Sequence, residues 1–87
     1  MPDLAPLLTL YYREGCHLCD DMEGLLYELL PTDSFSLERI DIDEDPQLQR
    51  DLNDQVPLLV SGKQVLSTHF LDLEAVTGLL ASYNTPN

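Results

Sequence analysis

The sequence predicts an α/β domain: a mixed four-stranded sheet, element order β-α-β-α-β-β-α, with helices on both faces. Three observations carry this reading. Apolar runs of strand length alternate with stretches of helical periodicity. Pro31 and Pro46 stand where a helix must stop and where one can start. Two late apolar runs flank Ser61-Gly62 closely enough to form a hairpin.

Leu7 to Tyr12 is nearly continuous apolar sequence, which suits a buried central strand. Arg13-Glu14-Gly15 forms a short loop, and Gly15 permits a turn before Cys16. Cys16 to Leu30 carries Leu18, Met22, Leu25, Leu26 and Leu29 at helical spacing, with Asp20, Asp21 and Glu23 suiting the positive end of the dipole. Thr32-Asp33-Ser34 is a polar turn, and Phe35 to Ile42 reads as a second strand with Ile40 and Ile42 on one face. Asp45 caps a short helix that begins at Pro46 and ends about Leu52. Asn53-Asp54-Gln55 is a loop. Leu58-Leu59-Val60 and Val65-Leu66 are the hairpin strands. Asp72 caps a last helix carrying Leu73, Val76, Leu79 and Leu80, and Tyr83 to Asn87 reads as frayed. The first half implies parallel strands joined by a right-handed crossover; the hairpin adds an antiparallel pair.

The chain has 87 residues, the size of one small domain over 1–87 with a modest core. No apolar run reaches the roughly 20 residues of a membrane span. Met1-Pro2-Asp3-Leu4 lacks the basic start and apolar centre of a signal peptide, so a cytoplasmic location is expected. Sixteen acidic residues against four basic ones give a formal charge of −12. Such a field disfavours nucleic acid and anionic membranes and favours a partner with a positive patch. A monomer is expected.

Cys16 and Cys19 are the two cysteines of the chain, and they sit where a strand hands over to a helix. A helix N-terminus stabilises the thiolate, which is the reactive form. At i and i+3 both sulfurs share one face, within reach of a short disulfide. In a reducing compartment an isolated Cys-x-x-Cys points to redox catalysis or metal binding rather than to a structural staple. Cys16 is then the nucleophile and Cys19 the resolving thiol. The site would lie at the carboxyl end of the first strand, where open α/β sheets place their ligands.

Taken together, the element order, Cys16-His17-Leu18-Cys19 and Val56-Pro57 resemble the thioredoxin superfold, and most closely the small glutaredoxin-like proteins, over about Leu7 to Ser82. The resemblance implies dithiol–disulfide oxidoreductase activity in cell redox homeostasis. It implies a cis proline at Pro57 packed beside the disulfide, with the Val56 backbone free to pair with an extended substrate. Arg13 stands where the family usually has Lys, three residues before the first cysteine, and can hold a carboxylate through a planar fork. His17 and Leu18 replace a proline and an aromatic residue; Gln55 replaces a threonine; Thr68-His69 replaces a Gly-Gly pair of glutathione-binding members. Asp72 matches the family's acidic cap. No tightly bound cofactor is expected. The expected partner is a disulfide-containing protein or small thiol, with glutathione or a thioredoxin-like protein as candidate electron donor. Side chains at Thr68-His69 crowd the approach of glutathione's backbone, so glutathione-coupled turnover is expected to be low.

Other residues carry more than one reading. A protonated His17 can hold a Cys16 thiolate or pass a proton to a leaving thiol; it can equally be a solvated turn residue. His69 fits a surface or packing role better than a ligand; Tyr11 and Tyr12 fit strand packing better than catalysis, and Tyr12 is expected to border the site from the strand end. The acidic run Asp41, Asp43, Glu44, Asp45 lacks calcium-loop spacing and reads as a solvated cap. Two functions compete with the enzyme. One is an interaction module that keeps the superfold and offers its acidic face. The other is an iron–sulfur or zinc module, which would draw further ligands from a second copy, from glutathione or from His17.

Overall fold

Apolar residues at alternate positions of one strand organise the molecule. The computed structural model describes residues 5–84. In order, the elements are β1 (Leu7–Tyr12), α1 (His17–Leu29), β2 (Ser36–Asp41), a 3₁₀ turn (Ile42–Glu44), α2 (Pro46–Leu52), β3 (Leu58–Ser61), β4 (Gln64–Thr68) and α3 (Leu73–Asn84). The sheet order is β2-β1-β3-β4, with β1 parallel to β2 and the other pairs antiparallel.

Successive side chains of a strand point to opposite faces. Leu8 and Leu10 of β1 and Leu59 of β3 therefore face one way and are fully buried, joined by Leu66 of β4. Met22 and Leu26 of α1 and Val76 and Leu80 of α3 close over them. Tyr11 and Leu58 are cross-strand partners and point to the other face. Leu48 and Leu52 of α2 are half-buried and stand apart from the main cluster. An ion pair fastens α1 to the sheet: Arg39 of β2 lies 3.0 Å from Glu23, and its guanidinium stacks 4.4 Å over the Tyr12 ring. No helix among the described residues is long and apolar enough to cross a membrane.

Several boundaries differ from the sequence reading. Cys16 is the N-cap of α1, not its first helical residue, and Leu30 is the C-cap. Phe35 precedes β2; it is buried in the core with its ring 5.6 Å from that of Tyr27. Ile42 does not extend β2. The Asp41 carboxylate accepts the Asp43 N–H at 2.9 Å, which turns the chain into the 3₁₀ segment and drives Ile42 inward. The hairpin turns at Gly62-Lys63 rather than Ser61-Gly62. Ser61 stays in β3, paired with Gln64, because its hydroxyl donates to the Leu7 carbonyl of the neighbouring strand at 3.1 Å. Gly62 takes φ 61°, the left-handed region where a side chain is costly. β4 is longer than expected and bulged, so that consecutive Leu66 and Ser67 are both buried. Tyr83 and Asn84 belong to α3; residues 85–87 of the segment read as frayed lie outside the described residues.

Candidate redox site

Every element that meets at the end of β1 contributes to one site. β1 delivers Arg13, Glu14 and Gly15, and Gly15 takes φ 76° to turn the chain. The Cys16 N–H donates to the Arg13 carbonyl at 3.3 Å, closing this turn. Cys16 then caps α1 through its own sulfur, which accepts the Cys19 N–H at 3.1 Å. A sulfur that takes the place of a capping oxygen sits on the unpaired amides and at the positive end of the dipole. Cys16 and Cys19 form a disulfide across Cα atoms 5.2 Å apart. Cys16 is half-buried, whereas Cys19 is 2% exposed. One cysteine is thus partly open to solvent and the other is closed off from it.

The Val56–Pro57 peptide bond is cis and Pro57 is fully buried. Among the described residues, the half-buried Val56 makes no backbone hydrogen bond. Pro57 is anchored instead: its carbonyl accepts the His69 N–H at 2.8 Å. The His69 ring nitrogen Nε2 lies 2.8 Å from the Asp54 carbonyl, and since a carbonyl only accepts, Nε2 carries the proton. His69 therefore grips the 54–57 loop at both ends. It does so at φ 70°, a left-handed conformation in which a non-glycine residue is uncommon. Of the surface and packing roles expected for His69, the structure shows the packing one, in which it ties one loop to another. The signal was available in Thr68-His69 standing at a Gly-Gly position: a residue that replaces glycine in such a conformation needs contacts that hold it there.

Arg13 is engaged within the chain. Its Nη2 donates to Asp43 at 2.7 Å, its Nε to the second Asp43 oxygen at 3.3 Å, and its Nη1 to Asn53 at 2.7 Å. The hydrogen bond to Asp43 raises Arg13 above its ordinary range. The same bond, reinforced by Gln49, holds the Asp43 carboxyl below its ordinary 3.8. A carboxyl depressed in the folded state stabilises the fold above its unfolded value and loses that contribution as pH falls through the folded value. Asp43→Asn is therefore expected to flatten the acid limb of stability, measured as urea midpoints across the carboxylate range, while near neutral pH the variant is less stable than the parent.

His17 is almost fully solvated, with Nε2 3.8 Å from Asp21. Desolvation raises the Tyr12 phenol above its ordinary range against the opposing pull of Arg39, and Tyr12 packs on the core below that guanidinium. Of the three acids in the first turns of α1, Glu23 is paired with Arg39, and Asp20 and Asp21 are exposed. The acidic run serves as caps and partners: Asp41 caps the 3₁₀ turn, Asp43 holds Arg13, and Asp45 accepts the Gln47 N–H at 2.9 Å. Among the described residues, no three His, Cys, Asp or Glu side chains gather as a metal site.

A Cys-x-x-Cys at a helix start, a cis X-Pro bond before β3 and a mixed four-stranded sheet define a thioredoxin-like α/β fold with a redox-type cysteine pair. The chain belongs to the glutaredoxin-like domain family (DUF836), whose model matches residues 7–81. It is similar to protein Ne2328 from Nitrosomonas europaea, solved by solution NMR, at 38% identity and TM-score 0.75, covering 86% of this chain and 91% of that one. It is also similar to protein XcR50 from X. campestris, solved by X-ray diffraction, at 26% identity and TM-score 0.68, covering 91% and 99% respectively. A mutant thioredoxin from Halobacterium salinarum NRC-1 shares the fold at 23% identity and TM-score 0.60, over 93% of this chain and 76% of that one. No curated protein matches the chain.

Proposed function

We propose that the protein is a dithiol–disulfide oxidoreductase. The observation that carries this reading is the asymmetry of the pair: Cys16 is half-buried and its sulfur accepts an amide at the start of α1, while Cys19 is buried behind it. In the reduced protein the Cys16 thiolate attacks one sulfur of a substrate disulfide. The substrate S–S bond breaks, a mixed disulfide forms, and the leaving thiolate takes a proton from solvent or His17. Cys19 then loses its proton and attacks the Cys16 sulfur, which releases the second substrate thiol and closes the Cys16–Cys19 bond. Two electrons pass to the substrate. An external dithiol, or two molecules of a monothiol such as glutathione, returns them.

The free backbone of Val56 suits pairing with an extended substrate segment. A substrate disulfide in a cytoplasmic protein or small molecule fits this site. Titration of the pair in thiol–disulfide buffers, read by alkylation and mass spectrometry, tests the proposal. The expected result is a single two-electron transition in the range of thiol oxidoreductases, about −180 to −270 mV. A pair that stays reduced in every buffer overturns it.

A further inference from the structure

An apolar pocket of about 150 Å³ opens between α1 and the 69–71 segment. Met22 and Leu71 are its less exposed apolar lining, Leu18, Leu25 and Phe70 its exposed apolar lining, and Asp21 and His69 complete it. One of its lining residues, Leu18, lies between the two cysteines in the chain. Phe70 is 70% exposed, a high value for a phenylalanine in a short, hydrogen-bonded turn: its N–H donates to the Thr68 carbonyl at 2.8 Å. Asp21 and Leu25 also line a second, shallower hollow along α1, completed by Asp20 and Glu28. The two depressions are therefore continuous, one apolar and one acidic.

The acids of that second hollow are not neutralised from within. Arg13 is taken by Asp43 and Arg39 by Glu23. Among the described residues, no Lys or Arg pairs with Asp20, Asp21 or Glu28; the nearby groups that become cations when protonated are His17, 3.8 Å from Asp21, and His69, which lines the pocket with Asp21. Charge decides the occupant. A second copy of a chain with formal charge −12 is repelled. Glutathione has a net negative charge and no apolar side chain to fill the pocket. A polypeptide segment with one apolar side chain next to lysine or arginine matches both halves.

We infer that this groove docks substrate proteins through a basic–apolar segment flanking their disulfide, an assignment that rests on the oxidoreductase reading. The apolar side chain enters between Leu18, Leu25 and Phe70, and the basic side chains lie along Asp20, Asp21 and Glu28. Excluding water from a pocket of this kind adds affinity in proportion to the area covered, and the acidic strip adds capture rate.

The test uses three short peptides, each with one cysteine capped as a disulfide with mercaptoethanol. The first carries leucine and two lysines, the second leucine and two glutamates, the third serine and two lysines. Hydroxyethyl disulfide is the reference. The reduced protein is mixed with each, and oxidation of its dithiol is timed by acid quench and alkylation. The first peptide is expected to react about tenfold or more faster than the second at low salt. That advantage should collapse near 1 M salt, where screening acts over about 3 Å. The first should also outpace the third by about tenfold, and Phe70→Ser should narrow this ratio. Asp21→Asn with Glu28→Gln should narrow the ratio of first to second. Equal rates for all three peptides, with the reference reacting, overturn the groove and leave the oxidoreductase reading intact. Failure of the reference disulfide overturns the oxidoreductase reading. In that event the same peptides with serine for cysteine, titrated against amide shifts at Leu18 and Phe70, still decide the groove: charge-selective binding upholds it and none refutes it.

Discussion

Cys16→Ser is expected to reduce disulfide exchange to the uncatalysed background, while Cys19→Ser is expected to accumulate a covalent adduct on Cys16. The two outcomes differ because the two sulfurs sit differently. Cys16 is the half-buried sulfur at the helix cap, and a serine hydroxyl there would still cap the helix but would not attack sulfur at neutral pH. The fold should therefore survive the change, and circular dichroism should show it. Cys19 is 2% exposed, so its thiol acts only on a partner already joined to Cys16. Removing it leaves the first exchange possible and the second not, and intact mass should show protein plus one substrate half. Activity retained in both variants would rule out the mechanism.

Leu10→Ala is expected to destabilise the protein by about 2–5 kcal/mol, against a total of about 5–15 kcal/mol for a domain of ordinary stability. Leu10 is fully buried in the central strand, pairs with Leu59 of β3 in one direction and with Arg39 of β2 in the other, and belongs to the cluster that α1 and α3 cover. The cavity would open beneath both helices, and the surrounding strands leave little room for collapse. Leu7 in the same strand is 53% exposed, and its change to alanine should stay within about 0.5 kcal/mol. Urea midpoints for the two variants check the contrast. A Leu10 variant as stable as the Leu7 variant would mean that the core lies elsewhere.

What the sequence made legible was local. Leu7 to Tyr12 reads as a strand because six residues in a row carry strand chemistry, and it is one. Asp45-Pro46 announces a helix by capping chemistry alone, and the Asp45 carboxylate does accept the Gln47 amide. Cys16 and Cys19 are three residues apart, so their meeting needs only one turn of helix. What stayed hidden depends on partners far along the chain. Arg13 meets Asp43 across 30 residues and Asn53 across 40, and no spacing rule foretells that. Ser61 stays in β3 because the Leu7 carbonyl waits 54 positions away. Nothing in the sequence singles out Phe70; only the fold shows it standing clear of the core and lining one pocket with Leu18.

His69 has a consequence beyond its own contacts. One imidazole and one amide tie the segment that carries Phe70 to the backbone of Asp54 and Pro57. Whatever presses on that phenylalanine leans, through a single ring, on the stretch of main chain that includes Val56. In the proposed docking mode, recognition of a substrate's side chain and of its peptide backbone would be mechanically joined, with position 69 as the coupling pin between them.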